Sequence, residues 1–215
     1  MAATPPDAST PPDPRQAFLE VLRFRYACKD FDEGKRVPRG DLEYILEAGR
    51  LSPSSLGLEP WRFVVVEDHA LRRHLRPACW NQVQIVSSSA VIVILALKAE
   101  LAPETGYARA MLRRLLHADD ELGEAMEIYH QIVHGDVLGW SVAQCHIAAA
   151  NMMTAAAVIG IDTCPMGGFE PEAVADVLKI DRARFAIALL LAVGYRAQPQ
   201  PPKHRLPLSQ LVDYR

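Results

Sequence analysis

"SPSSLGLEPWRF", Ser52–Phe63, is the stretch on which the reading of the chain turns. A segment with apolar residues at helical spacing, Leu42, Ile45, Leu46 and Gly49, runs into it. Phe63-Val64-Val65-Val66, which reads as a strand, leaves it. An ordinary turn needs one Gly or one Pro. This connection holds two Pro, three Ser and a Gly, then sets Trp61 and Arg62 at the mouth of the strand. Such a loop is composed to hold a ligand.

Working outward toward the N-terminus, Pro38 opens the helix before this loop, and "ACKDFDEGKRV" precedes it as a further loop. An earlier helix starts at Pro14, capped by Asp13, carries Phe18, Leu19, Val21 and Leu22 on its apolar side and ends near Arg25-Tyr26. Residues 1–13, "MAATPPDASTPPD", are Pro-rich and polar and read as a disordered tail; residues 14–215 read as one domain.

In the other direction a strand spans Arg62–Glu67 and Asp68 caps a short helix to Arg76. Cys79–Ser87 is ambiguous with a helical bias, and Ala90–Lys98 is a second strand. Pro103–His134 reads as a long charge-rich helix that can break at Gly106 or Gly123. Asp136 caps Val137–Ile159, which is Ala-rich, almost free of charge and so expected to be buried nearly all round. An extended piece, Thr163–Met166, leads to Gly167-Gly168, and Pro171 opens a helix to Leu178. Phe185–Tyr195 is continuously apolar, as a central strand should be. The tail beyond Arg196 is Pro-rich, with "PLSQLV" as a candidate edge strand. Helices first, then strands separated by one long helical block, point to an α+β three-layer sandwich rather than regular β-α alternation. No G-x-G-x-x-G follows a strand, which disfavours a Rossmann site, and no P-loop is present.

Composition narrows the classes. The chain has 215 residues, half of them hydrophobic and 23% charged, with a net charge of −3, so it can build a large core and shows no basic stripe for nucleic acid. The four cysteines are widely spaced without a C-x-x-C pair, which fits reduced thiols in a cytoplasmic protein. The start lacks the basic and apolar regions of a signal peptide. The longest apolar runs, Ala90–Leu97 and Ala186–Val193, fall far short of the ~20 residues a membrane span requires.

Among polar residues, Arg25 and Lys29 lie four apart, and Lys203 and Arg205 flank His204, all in likely loop positions for a phosphate; the plainer reading is solvated surface. "CPMGGF", Cys164–Phe169, lets backbone approach a flat ligand, or is a plain turn into the next helix. His130 and His134 lack the Glu of H-E-x-x-H and a third ligand, so no metal site is assigned. Ser54-Ser55 has no G-x-S-x-G context. Gln144, His146 and Asn151 are polar positions on an apolar helix and need partners in the core or in a ligand.

"RYACKDFD", "SPSSLGLEPWRF", "CPMGGF" and "PKHRLP" stand in the order and spacing of the FMN-dependent nitroreductase family, and the chain from Arg15 onward resembles its oxygen-insensitive NAD(P)H nitroreductase and dihydropteridine reductase-like branch. The resemblance implies a mixed, mostly antiparallel sheet flanked by helices, an intertwined homodimer with swapped terminal segments, and two FMN clefts at its interface. It implies that Arg25, Lys203 and Arg205 clamp the FMN phosphate, with Tyr26 and Ala27 beside them. Lys29 then faces the isoalloxazine edge, Asn81 and Gln84 lie near the ring, and Pro165, Met166, Gly167 and Gly168 pass behind it with an N–H for N5. Pro53, Ser54, Ser55 and Gly57, with Gln144, come from the other subunit. Lys29 and Gly167 are the residues tied to the chemistry. Relatives often carry Ser at Ala27, Asn at Gly57, Gln at Glu59, Lys at Gln84 and Glu at Gly167; Glu59 adds a negative charge near the cleft. The activity implied is ping-pong hydride transfer from NAD(P)H to small electron-poor acceptors such as nitroaromatics, quinones or pteridines. Tyr107, Met111, Met126 and Tyr129 are candidates for the cleft rim or for packing. Open alternatives are a specialised flavoenzyme of the same fold (dehalogenating, flavin-consuming or azoline-oxidising), a flavin-binding sensor, and a helical interaction protein without flavin.

Overall fold

A computed structural model describes residues 13–215; the tail expected at residues 1–13 lies, apart from Asp13, outside the described residues. Asp13 caps α1 (Pro14–Phe24) by accepting the Arg15 N–H at 2.9 Å. Then follow α2 (Arg39–Arg50), β1 (Trp61–Val66), α3 (His69–Leu75), α4 (Gln84–Ser87) and β2 (Ala90–Leu97). After these come α5 (Tyr107–Leu112), α6 (Asp119–Val133), α7 (Val137–Val158), β3 (Asp162–Met166), α8 (Pro171–Leu178) and β4 (Phe185–Gly194). The expected caps are made: Asp68 accepts from Leu71 N at 2.6 Å and Asp136 from Gly139 N at 2.8 Å.

The four strands are ordered β1-β2-β4-β3, each neighbour antiparallel, with a register irregularity between Ile94 and Leu95. The parallel element of the expected mixed sheet is a single bridge, Ala27 to Thr163. Both central strands read as unbroken apolar runs because both their faces are covered. Ile92 and Ile94, with Leu189 and Leu191, pack under α2 and α7; Val91, Val93, Leu190 and Ala192 pack under α3, α4 and α8. That is the three-layer sandwich. Gly49 allows α2 to approach α7, since a Cβ there would lie 2.0 Å from Met152 Cε. Arg72, fully buried, donates to the carbonyls of Val86 and Ser88 at the end of α4.

Two expectations are corrected and one is made specific. The segment 103–134 takes one of the two breaks the sequence allowed. It breaks at Gly106, whose φ of 74° suits glycine, and again between α5 and α6, while Gly123 sits inside α6. "PLSQLV" makes a 3₁₀ turn at Leu208–Gln210 instead of a strand, its backbone closing on itself through Leu211 N to Leu208 O at 3.0 Å. Helix α7 buries one face only; His146, Ile147, Ala150 and Asn151 are exposed on this chain.

Candidate functional site

The candidate residues fall into two groups. The first starts where α1 ends. The last carbonyls of a helix lack intrahelical donors, and Lys203 supplies one: its Nζ donates to Leu22 O at 2.6 Å and to Arg25 O. This lays the C-terminal strap against α1, and Arg25, Tyr26, Ala27, Lys203 and Arg205 line one cleft of about 340 Å³. Arg25, Lys203 and Arg205 form no ion pair among the described residues. Burial, then Arg205, pulls the Arg25 pKa down; burial, then Arg25 and Arg205, does the same to Lys203. Three mutually repelling cations without a counter-ion suit an anion such as a phosphate dianion.

From this cleft the chain runs beside β3. The Ala27–Thr163 bridge and the bond from Cys28 N to Thr163 O, 3.1 Å, bring Lys29 to Cys164, where Nζ meets Sγ at 3.4 Å. Ala27 and Lys29 are exposed while Cys164 is buried. At the end of β3, Pro165 is half-buried and Gly167 exposed, and a Cβ on Gly167 would meet nothing within 4 Å. Neither the Gly167 nor the Gly168 N–H has an acceptor among the described residues. Met166 differs from its expected place: its side chain is a core residue, 3% exposed, so only its backbone borders the open face.

A turn at Trp80-Asn81 closes the floor. Both residues have left-handed φ, 52° and 56°, a strained backbone for non-glycine residues. The Trp80 ring lies over Gly168, where a Cβ would fall 2.6 Å from Cε3, and its indole N–H donates to Glu170 at 2.7 Å. The exposed Asn81 side chain makes no hydrogen bond among the described residues. Gln84 is not open to the cleft as expected. It is 4% exposed, and its amide nitrogen donates to Gln82 Oε1 at 2.9 Å. Gln82, which sequence reasoning missed, holds the Gly168 carbonyl at 2.7 Å; a single polar residue in an ambiguous stretch carries no signal of its own.

The second group is the opening loop. Ser55 N donates to Gln144 Oε1 at 2.9 Å, Glu59 N to Ser54 Oγ at 2.8 Å, and Asn151 Nδ2 to Ser52 Oγ at 2.9 Å. Helix α7 thus supplies the acceptor and donor that the loop lacks. Leu56, Gly57 and Glu59 all have positive φ, and a Cβ on Gly57 would sit 2.7 Å from Leu115. Pro53 and Ser55 are exposed. Glu59 pairs with Arg114 at 3.2 Å, which offsets its charge. Trp61 is a core residue, 4% exposed. Of the candidate rim residues, Tyr107 donates its hydroxyl to Leu58 O at 2.8 Å, Tyr129 is fully buried on Leu101 O, and Met126 is 8% exposed. These three brace the loop and core; Met111 is half-buried against them. The two groups share neither a hydrogen bond nor a cavity lining among the described residues.

All four thiols are free and buried, and burial raises Cys79 and Cys145 to about 12, so none is an activated nucleophile. No three His, Cys, Asp or Glu gather as a metal site among the described residues, and no helix there is long and apolar enough to cross a membrane.

Comparison with known proteins gives the family and the fold. A Staphylococcus aureus (strain USA300) protein named "Putative NAD(P)H nitroreductase" is 38% identical over 203 residues, covering 88% of this chain and 91% of that protein. A solved Bacillus subtilis structure, described as a putative nitroreductase, shares 25% identity at a TM-score of 0.80 and covers 94% of this chain and all of its own. A Staphylococcus epidermidis structure, described as a putative NAD(P)H:FMN oxidoreductase, shares 27% identity at a TM-score of 0.76, over 92% of this chain and 95% of that one. The family model described as "Nitroreductase family" matches residues 22–195, from the α1 terminus beside Arg25 to the end of the sheet. The cation-lined strap, the glycine floor and the Pro-Ser-Ser loop are therefore set in a chain that belongs to the nitroreductase family.

Proposed function

We propose that the chain is an FMN-dependent oxidoreductase that takes hydride from NADH or NADPH and reduces small electron-poor acceptors, nitroaromatics, quinones or pteridines among them, as a homodimer. The observation that carries this reading is the uncompensated cation cluster of Arg25, Lys203 and Arg205, next to a floor with free N–H groups at Gly167 and Gly168. The residues fit the cofactor: the cations match a phosphate dianion, and Gly167 leaves room for a flat ring. When bound, FMN supplies the two-electron chemistry, which no side chain of the protein provides.

What the chain's own residues contribute follows from their places. Arg25, Lys203 and Arg205 bind the phosphate. Lys29 holds a positive charge beside the ring, where negative charge accumulates on reduction, an electrostatic stabilisation. The Gly167 and Gly168 N–H groups orient the ring. Pro53, Ser54, Ser55 and Gln144 act on the cleft of the partner subunit. Support for that last role is their separation from the cation cluster on one chain, and the exposed apolar residues of α1 and α7. Donor and acceptor then use one open face in turn, which is ping-pong turnover.

The test is an absorbance spectrum of purified protein, followed by anaerobic NADPH and then NADH. Flavin bands that bleach with either nucleotide and return with a nitroaromatic or quinone are expected. Flavin bands that neither nucleotide bleaches would refute the reductase reading, and absence of bands after incubation with FMN would refute the cofactor.

A further inference from the structure

A chain of hydrogen bonds runs under the floor from Lys29 to the glycine loop. Lys29 Nζ donates to Cys164 Sγ at 3.4 Å, and Gln84 Nε2 reaches the same sulfur at 3.8 Å. Gln84 Nε2 spends its second hydrogen on Gln82 Oε1 at 2.9 Å. Gln82 Nε2 spends both of its own on carbonyls, Gly168 at 2.7 Å and Cys79 at 3.1 Å. Both amide NH₂ groups are thus fully used. Cys164 is 0% exposed and Gln84 4%, so the centre of the chain, where the two meet, is shielded from water, while Lys29 and Gln82 at its ends are partly open.

We infer that Gln84, together with Gln82 and Cys164, is a positioning residue that couples the Lys29 ammonium to the Gly167–Gly168 loop, so that the two arms of the floor move as one unit. The inference rests on the flavin reading for its consequence, not for its geometry. Lys29 forms no ion pair among the described residues; its partner is a thiol. A carboxylate in that place would hold the ammonium equally well and cancel its field. The buried Cys164 thiol, its pKa raised by burial despite Lys29, stays neutral and leaves the charge whole. The relay therefore fixes the position of a cation without neutralising it, and sets the Gly167 and Gly168 N–H groups against the same reference. Reduced FMN, the more negative form, gains most from that alignment.

The experiment compares wild type with Gln84→Met, Cys164→Val and Cys164→Ser by two readouts. The first is amide hydrogen exchange of the apoprotein. Gln84→Met is expected to speed exchange at Glu170, whose N–H ties the end of the glycine loop to Ala78 O at 2.8 Å, at least tenfold while leaving β4 unchanged, which a general loss of stability would not do. The second is the affinity for reduced relative to oxidised FMN. It is expected to fall about tenfold, a shift of about 30 mV for a two-electron couple. Cys164→Ser keeps an acceptor and should stay within twofold of wild type, whereas Cys164→Val should match Gln84→Met. Unchanged exchange and an unchanged affinity ratio in Gln84→Met would overturn the coupling. If Gln84→Met does not fold, the contrast between Cys164→Val and Cys164→Ser decides on the same readouts, and equal behaviour of the two overturns it. A wild type that binds no FMN refutes the flavin reading and leaves the exchange measurement to decide the coupling.

Discussion

At the scale of single residues, charge is what the site spends its sequence on. Lys203 sits below the ordinary lysine value of 10.5, from burial first and then from Arg25 and Arg205. A lysine whose folded pKa is lowered binds fewer protons than the unfolded chain in the window between the two values. Stability of the apoprotein therefore rises with pH through that window, and the repulsion is fully present below it. A phosphate dianion relieves the same repulsion at neutral pH. Inorganic phosphate is expected to raise the Tm of the apoprotein at neutral pH and to do so less as the pH approaches 10.5; calorimetry at two pH values checks this, and Lys203→Met should blunt both effects. Lys29 makes a contrasting case. Lys29→Ala should slow flavin reduction about 10²-fold, the scale of losing one electrostatic contact, with a much smaller change in FMN affinity. Stopped-flow reduction at wild-type speed would contradict it.

At the scale of elements, one ion pair ties three segments together. Arg196 donates to Asp162 at 2.6 Å through Nη2 and to Phe24 O at 3.3 Å, and lies 4.2 Å from the Phe24 ring centroid and 4.8 Å from that of Tyr26. Asp162 is 3% exposed. The pair joins the end of α1, the start of β3 and the strap that carries Lys203 and Arg205. Removing one member leaves a buried charge alone, so Arg196→Leu is expected to cost about 3–5 kcal/mol and to loosen FMN binding as well; urea unfolding and a flavin titration measure the two. The double variant Arg196→Leu with Asp162→Leu should recover part of the stability and none of the binding. The floor loop offers a smaller case. Gly168→Ala forces the Trp80 ring aside and breaks its bond to Glu170, at about 1–3 kcal/mol, and Trp80→Ala should restore the tolerance of that alanine.

At the scale of the whole molecule, the single chain leaves large apolar side chains uncovered. Phe18 is 53% exposed, Leu22 38%, Ile147 40% and Leu211 64%, on α1, α7 and the C-terminal strap. An apolar surface of that spread on one chain asks for a partner. Sedimentation is expected to give a dimer, and Phe18→Asp with Ile147→Asp should shift it toward monomer and lower FMN affinity together. A monomeric variant that retains full FMN affinity would remove the partner loop from the site.

The sequence by itself determined the elements whose causes are local. Asp13, Asp68 and Asp136 mark helix starts because a short acceptor side chain satisfies free N–H groups in its own neighbourhood. The apolar runs of β2 and β4 mark central strands because both faces must be dry. Four loop motifs in order were enough to identify the family, since each carries residue types dictated by backbone geometry or charge. Other features had no local cause. Gln82 and Gln84 become part of the floor only because α4 meets the end of β3, and Arg196 becomes a tie only because the sheet places Asp162 beside it. The break in 103–134 depends on what α5 packs against, since Gly106 and Gly123 are the same residue and only one turns the chain. Tyr107 and Tyr129 read as rim or as core alike in the sequence; the fold turned them inward, because their hydroxyls found the carbonyls of Leu58 and Leu101 and the Tyr129 ring found the core of Leu112, Leu122 and Met126.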